Sequence, residues 1–223
     1  MVDGMPLETD SLGSHSLRSE VEHSAEAGYR FQSGQHWSTD ISVFYSTYGR
    51  LIANRTDLTP QIDFSGETPV LRMTSVSENP GAGRSYGGEV WAIWQIHPSW
   101  RLAPSYSYLR EWSWLPDVPG SALYWGYQPQ NMRHQGRVRL EHNLSRAWQV
   151  DLMARVRSRE STFQTPGSVQ VDAHVSYRPF RSSEFSLTVK NLTDRQVLEN
   201  YSEFCFPAIP MRRTLLVKWT QRF

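Results

Sequence analysis

The stretch WQVDLMARVRSR, residues 148–159, decides the reading of the whole chain. Trp148, Val150, Leu152, Ala154 and Val156 occupy every second position, opposed by Gln149, Asp151, Arg155, Arg157 and Arg159. A β-strand sends successive side chains to opposite sides, so this is a strand with one apolar and one charged face. The pattern continues downstream. Ser168–Arg178 sets Val169, Val171, Ala173, Val175 and Tyr177 against Gln170, Asp172, His174 and Arg178. Glu184–Asn191 sets Phe185, Leu187 and Val189 against Glu184, Ser186, Thr188 and Lys190. Arg213–Phe223 closes with Leu215, Val217, Trp219 and Phe223 against Thr214, Lys218, Thr220 and Arg222. Upstream the same period runs through Arg18–Phe31, His36–Thr47, Arg84–Ile96, Trp100–Glu111 and Arg133–Leu144. That makes nine strands, and helical spacing is nowhere sustained.

The connections orient these strands. Gln32–Gln35, His97–Ser99, Ser145–Ala147 and Pro179–Ser183 are tight turns. Tyr48–Gly83, Trp112–Met132 and Leu192–Arg212 are long, and Glu160–Gly167 is shorter. Short and long alternate without a break, which puts all tight turns at one end of the sheet. An outer-membrane barrel has that arrangement, with short periplasmic turns and long extracellular loops. Tyr29, Phe31, Trp37, Trp94, Trp100, Trp148, Tyr177, Trp219 and Phe223 gather at the tight-turn end, as an interfacial girdle does. Strands of about 10–12 residues, tilted about 45°, span on the order of 25 Å, the height of a lipid-facing band. The fold class is therefore all-β: an antiparallel up-and-down meander of about nine or ten strands, part of a larger transmembrane barrel. The period of two predicts that Val21, Ile41, Val90, Leu152, Val171, Leu187 and Val217 share the lipid face. Arg139, Arg155, Asp172 and Lys190 share the other. A soluble β-sandwich or lipocalin-like barrel binding carbohydrate or lipid is the alternative.

Composition trims the functions available. The 223 residues carry 23 Lys+Arg and 22 Asp+Glu, a net charge of +1, so nothing draws the chain to nucleic acid. The single cysteine, Cys205, excludes an internal disulfide and a zinc or iron–sulfur site built from several thiolates of this chain. No apolar run reaches a spanning helix, and the first residues, MVDGMPLETDSLGS, are not a signal peptide. Residues 1–16 read as a disordered or non-native leader. Gly81-Ala82-Gly83 begins like a dinucleotide fingerprint, but Tyr86 stands at the third glycine and no helix follows. Glu20, Glu22 and Glu26 share one strand face and read as a charged wall rather than paired acids. His134 and His142 share a strand face eight residues apart, too far for one strand to chelate with both. Neither an enzyme nor a cofactor or metal is expected. Functional weight falls on the long loops, where Trp112, Trp114, Tyr124, Trp125 and Tyr127 place five large rings in one connection as candidate ligand contacts.

The order of several short motifs resembles the C-terminal part of TonB-dependent outer-membrane receptors. They are LRSEVEHSAEAGYRF at 17–31, VFYSTYGRLI at 43–52, YGGEV at 86–90, NLTD at 191–194 and the closing PMRRTLLVKWTQRF at 210–223. Members of that family close a barrel of about 22 strands around an N-terminal plug. The resemblance implies that residues 17–223 are the C-terminal portion of such a barrel, without the plug. It implies uptake of a ferric siderophore or a similarly scarce ligand in the outer membrane of a Gram-negative bacterium. By itself the chain is expected to be inactive. The implied partners are outer-membrane lipid, the barrel-assembly machinery, and the missing barrel and plug through which TonB couples. Phe223 is implied as the assembly signal.

Overall fold

The computed structural model describes residues 5–118, 122–125, 132–160, 165–198 and 210–222. Its strands are β1 (Leu7–Leu12), β2 (Val21–Ser33), β3 (Trp37–Asp57), β4 (Gln61–Asp63), β5 (Val70–His97), β6 (Trp100–Trp114) and β7 (Ala122–Trp125). They continue with β8 (His134–Asn143), β9 (Trp148–Arg157), β10 (Ser168–Phe180), β11 (Ser183–Lys190), β12 (Val197–Leu198), β13 (Pro210–Met211) and β14 (Thr214–Gln221). No helix occurs among the described residues. One hydrogen-bonded path runs β14-β11-β10-β9-β8-β6-β5-β3-β2, which is the expected nine-strand meander. It is one sheet, not two packed ones, so the sandwich alternative is corrected here.

Three departures have identifiable causes. β3 and β5 are 21 and 28 residues long, so most of Tyr48–Gly83 is strand rather than loop. Arg50 lies in the left-handed region (φ 59°) and shifts the phase of the alternation. Before it Tyr45 is 48% exposed; after it Leu51 and Ala53 are 3% and 1% exposed and Ile52 is 41%. A fixed period of two loses the strand at such an irregularity. The second departure is β1: within residues 1–16, Leu7–Leu12 forms a strand that pairs parallel with β5, Leu7 opposite Leu71. The third is the β10–β11 turn, which tightens to Arg181-Ser182 because Pro179 lies in the strand at a register shift between Tyr177 and Phe180.

The chain forms two compact units. Residues 1–25, 45–85 and 111–129 make the first; residues 26–44, 86–110 and 130–223 make the second. In the second unit the register aligns rows of like side chains. Leu140, Leu152, Ala173, Val189 and Leu215 face one another across five strands. Val150, Val175, Leu187 and Val217 form the next row, and Trp148, Tyr177, Phe185 and Trp219 the next. These rows face outward: Leu152 is 42% exposed, Leu187 43%, Leu215 66% and Val217 78%. The opposite face buries polar groups instead, among them Asp151, Gln170, Asp172 and Ser176. Leaving such aliphatics half in water forfeits roughly 1 kcal/mol each. A few rows of them consume a stability of only about 5–15 kcal/mol, so this face needs an apolar solvent.

Candidate functional site

Rings of the second unit gather at two levels, one along the tight-turn end from β3 to β14 and one on β5, β6 and β8. At the tight-turn end Trp37 meets Trp94 edge-on at 6.1 Å, and Trp100 stacks on His142 at 3.7 Å. Trp148 stacks on Tyr177 at 4.4 Å, and Phe185 on Trp219 at 6.2 Å. This is the expected girdle. The second belt was not anticipated. Tyr86 lies 6.0 Å from Tyr108, whose ring lies 5.1 Å from His134, and the Tyr106 hydroxyl meets His134 Nδ1 at 2.6 Å. Tyr86 to Trp94, Trp100 to Tyr108 and His134 to His142 are the same eight-residue interval on three strands. At about 3.4 Å per residue and a tilt near 40° that is on the order of 20 Å of height, close to the apolar band of a transmembrane barrel. The eight-residue spacing of the two histidines thus places one in each belt. Among the described residues no cluster of ligands for a metal forms.

The polar face of the same unit is an ion-paired wall. Arg139 donates to Asp151 at 2.9 Å and contacts Glu141 at 3.1 Å, with Arg101 on Glu141 at 3.5 Å. Arg155 donates to Asp172 at 2.7 Å. Asp172 also accepts the backbone N–H of Asn191 at 2.9 Å, which gives the NLTD motif its role. Asn191 and Asp194 both adopt left-handed backbone (φ 52° and 53°), which short polar residues tolerate. Asn191 Nδ2 donates to the carbonyls of Arg195 and Met211, and Asp194 accepts the Arg213 N–H at 3.0 Å. The motif therefore fastens the exit of β11 to the approach of β14. The glycines of YGGEV are explained by close approach: a Cβ on Gly87 would lie 2.3 Å from the Tyr108 carbonyl and 2.7 Å from the Phe44 ring.

Of the five loop aromatics, Trp112, Trp114 and Tyr124 have described side chains, each in a different setting. Tyr124 is fixed by its backbone, β7 pairing with β3 so that Tyr124 faces Arg55 and Trp125 faces Asn54. Its hydroxyl donates to Glu78 Oε2 at 2.7 Å, while Arg55 Nε donates to Glu78 Oε1 at 3.1 Å. Glu78 precedes the Tyr86 belt by eight residues on the long-loop side. The Tyr124 bond, then Arg55, holds the Glu78 carboxyl below its ordinary range, and Glu78 in turn holds the Tyr124 phenol above its own. Trp112 carries the Arg84 guanidinium over its ring at 4.8 Å. Trp114 is 52% exposed. Tyr127, Cys205 and Phe223 lie outside the described residues. Of the three acids on β2's approach and length, Glu20 accepts the Ile52 N–H at 2.7 Å, a structural bond.

Long strands, tight turns at one end and a ringed apolar face are the marks of a membrane barrel, and known proteins agree. A family model described as TonB dependent receptor-like, beta-barrel matches residues 8–192. No curated protein matches the chain. Solved structures similar to it include the ferric-catecholate import receptor Fiu from E. coli, with a TM-score of 0.67 at 18% identity over 94% of this chain and 29% of that one. The FrpB iron transporter from Neisseria meningitidis gives 0.70 at 12% identity over 98% and 32%. The siderophore receptor PirA from Acinetobacter baumannii gives 0.68 at 14% over 96% and 33%. The chain thus spans about a third of the length of these proteins. At such identities the likeness speaks for the fold; the match over residues 8–192 speaks for the family, whose members are receptors and transporters of the Gram-negative outer membrane rather than enzymes. The chain belongs to the TonB-dependent receptor β-barrel family.

Proposed function

We propose that this chain is the C-terminal portion, residues 17–223, of an outer-membrane barrel that takes up a ferric siderophore or a similarly scarce ligand. The barrel works with strands and a plug supplied by the rest of the receptor, and TonB couples through that plug. The observation that carries this reading is the exposed apolar face of β8–β11 and β14, ringed by aromatics at the tight-turn end and backed by an ion-paired polar face. The apolar rows take lipid as their solvent, and the charged wall faces the lumen. In this orientation the long connection that carries Trp112, Trp114, Tyr124 and Trp125 belongs to the extracellular side, where rings stack on flat ligands at low entropic cost. Tyr124 acts there by holding β7 in place, and Trp114, more than half exposed, is the best placed of the described rings to touch a ligand.

In this reading Phe223, which follows β14 in the sequence, is read by the barrel-assembly machinery. The test is the full-length receptor carrying Phe223→Ser. Its level in intact cells is followed by protease cleavage within residues 112–132, alongside energy-dependent uptake of an iron-loaded ligand. Surface level and uptake are expected to fall together while synthesis is unchanged. Equal surface levels of variant and parent would overturn the role of Phe223. Uptake that persists after the proton-motive force is collapsed would overturn the transport reading.

A further inference from the structure

The tight turn between β10 and β11 carries a small recess that the transport reading does not use. It measures about 160 Å³, below the roughly 300–1,000 Å³ of a site for a drug-sized solute. Arg178, Arg181, Arg222 and Glu184 line it, together with Ser182, Ser183 and Thr220. Three guanidiniums thus meet one carboxylate, and Glu184 is already taken by Arg178, whose Nε donates to it at 2.8 Å. Arg181 and Arg222 make no ion pair or guanidinium hydrogen bond among the described residues. Backbone rather than counter-charge gathers them: the Arg222 N–H donates to the Ser182 carbonyl and the Arg178 N–H to the Ala147 carbonyl, each at 2.8 Å. The recess lies just past the girdle row of Trp148, Tyr177, Phe185 and Trp219. Phe180 pairs with Ser183, which stands two residues from Phe185, so Phe180 falls on the ring side, where it is 70% exposed. Arg178, Glu184 and Thr220 alternate to the polar side. With only Arg181 and Ser182 between the strands, the sheet ends in a rim one chain thick, and a group at that rim is reached from both sides.

We propose that this recess binds the phosphate ester of an anionic glycerophospholipid, of the phosphatidylglycerol class, in the leaflet at the tight-turn end. Arg181 and Arg222 hold the phosphate oxygens, the Ser182 and Thr220 hydroxyls donate to those that remain, and the glycerol and first acyl carbons lie over Phe180 and Phe185 outside the rim. Guanidinium meets phosphate with two parallel bonds and is more weakly hydrated than an ammonium, which suits it to a phosphate at a wet boundary. Interfacial rings stand at headgroup level, so cations just beyond them lie at the depth of the lipid phosphates. Free phosphate offers the same oxygens but nothing to cover the exposed Phe180, so the ring beside the cations favours the lipid. The inference rests on the outer-membrane barrel reading and adds a bound lipid to it.

The test places the full-length receptor in nanodiscs of phosphatidylcholine at physiological salt and titrates in phosphatidylglycerol or phosphatidylcholine with brominated acyl chains. Bromine quenches a nearby indole, and the emission lost in Trp219→Phe isolates the share of Trp219, on the strand beside the recess. Brominated phosphatidylglycerol is expected to quench Trp219 at a mole fraction about tenfold lower than brominated phosphatidylcholine. Arg181→Gln and Arg222→Gln are each expected to cut that preference about threefold to fivefold, and together to abolish it, with quenching by phosphatidylcholine unchanged. Arg146→Gln removes the same charge from the neighbouring tight turn, two strand spacings or about 10 Å along the sheet and roughly a Debye length away, and is expected to leave most of the preference in place. Mobility in unheated gels checks that each variant stays folded. An Arg146→Gln effect as large as that of Arg181→Gln assigns the attraction to general surface charge and overturns the proposal. So does loss of the preference in millimolar inorganic phosphate at matched ionic strength, which assigns the recess to the free ion. Equal quenching by the two brominated lipids sinks this inference alone; quenching by neither sinks the barrel reading.

Discussion

Leu51 and Leu152 are the same residue in the same kind of element, yet one is 3% exposed and the other 42%. Leu51 belongs to the first unit, where Ala53 and Leu71 are also buried and the polar partners Thr56 and Ser75 bond at 3.0 Å. Leu152 belongs to the second, where Leu140 and Ala173 flank it and the aliphatics point outward. Both regions obey the period of two, with opposite sense. In the first, Leu51, Ala53 and Leu71 turn inward beside buried polar partners; in the second, the aliphatic rows turn outward, as lipid demands. Alternation reveals strands in either region, while burial reveals the solvent.

The largest effect expected from breaking this contrast is Leu152→Arg. At mid-band a lipid-facing arginine costs about 2–4 kcal/mol, and near an interface about 0–1. The variant is expected to fold poorly into vesicles, read by loss of the compact species in unheated gel electrophoresis. Thr188→Arg, on the polar face beside His174, is expected to fold like the parent. Equal folding of both variants would contradict the lipid assignment of the Leu152 face.

Next comes Asp172→Asn, which sharpens the account of the polar wall. Asp172 is 7% exposed and serves both Arg155 and the Asn191 N–H. Hydrogen bonds to charged groups are worth about 1.5–3 kcal/mol, and Arg155 is itself partly exposed, so the loss is expected near the low end. The measurement is urea unfolding in micelles. Amide exchange is expected to rise at residues 191–194, because the motif loses its anchor on β10. Unchanged exchange there would remove the structural role assigned to NLTD.

The expected strands, turns and outward rows were legible because the second unit repeats one pattern: Trp148, Leu152, Val171 and Leu187 each sit where the period puts them. Less was legible where conformation departs from the period. The left-handed Arg50 hides the continuation of β3, and β1 pairs parallel with a partner about sixty residues away, which no local pattern announces. The upper belt was readable in principle from the eight-residue interval between rings, but His134 disguised one member as a possible ligand. The loop aromatics could be named from composition. That Tyr124 is fastened to Glu78 while Trp114 stands exposed depends on the pairing of β7 with β3, a long-range contact.

The smallest effect expected is a pH response confined to the first unit. Glu78 accepts from Tyr124 and Arg55, and its carboxyl titrates below its unfolded value of 4.5. A depressed carboxylate contributes stability that is present above that unfolded value and is lost as pH falls through the folded one. The Tyr124 phenol titrates above its unfolded value of 10.0, so its contribution is present below 10.0 and lost as pH rises through the folded value. Pairing of β7 with β3 is therefore firmest between the two and loosens at both extremes. Glu78 and Arg55 are each about a third or more exposed, so solvent screens the bond and the change is on the order of 1 kcal/mol or less. Hydrogen exchange at Leu123 and Tyr124, measured in the folded chain from neutral pH down through the carboxylate range and corrected for intrinsic rates, is expected to lose protection at acid pH. In Glu78→Gln the acid limb is expected to vanish. A limb that persists in Glu78→Gln would place the titrating group elsewhere in the first unit. The foremost alternative is Asp63, whose carboxyl the Ser65 N–H and hydroxyl, with Arg72, also hold below its ordinary range.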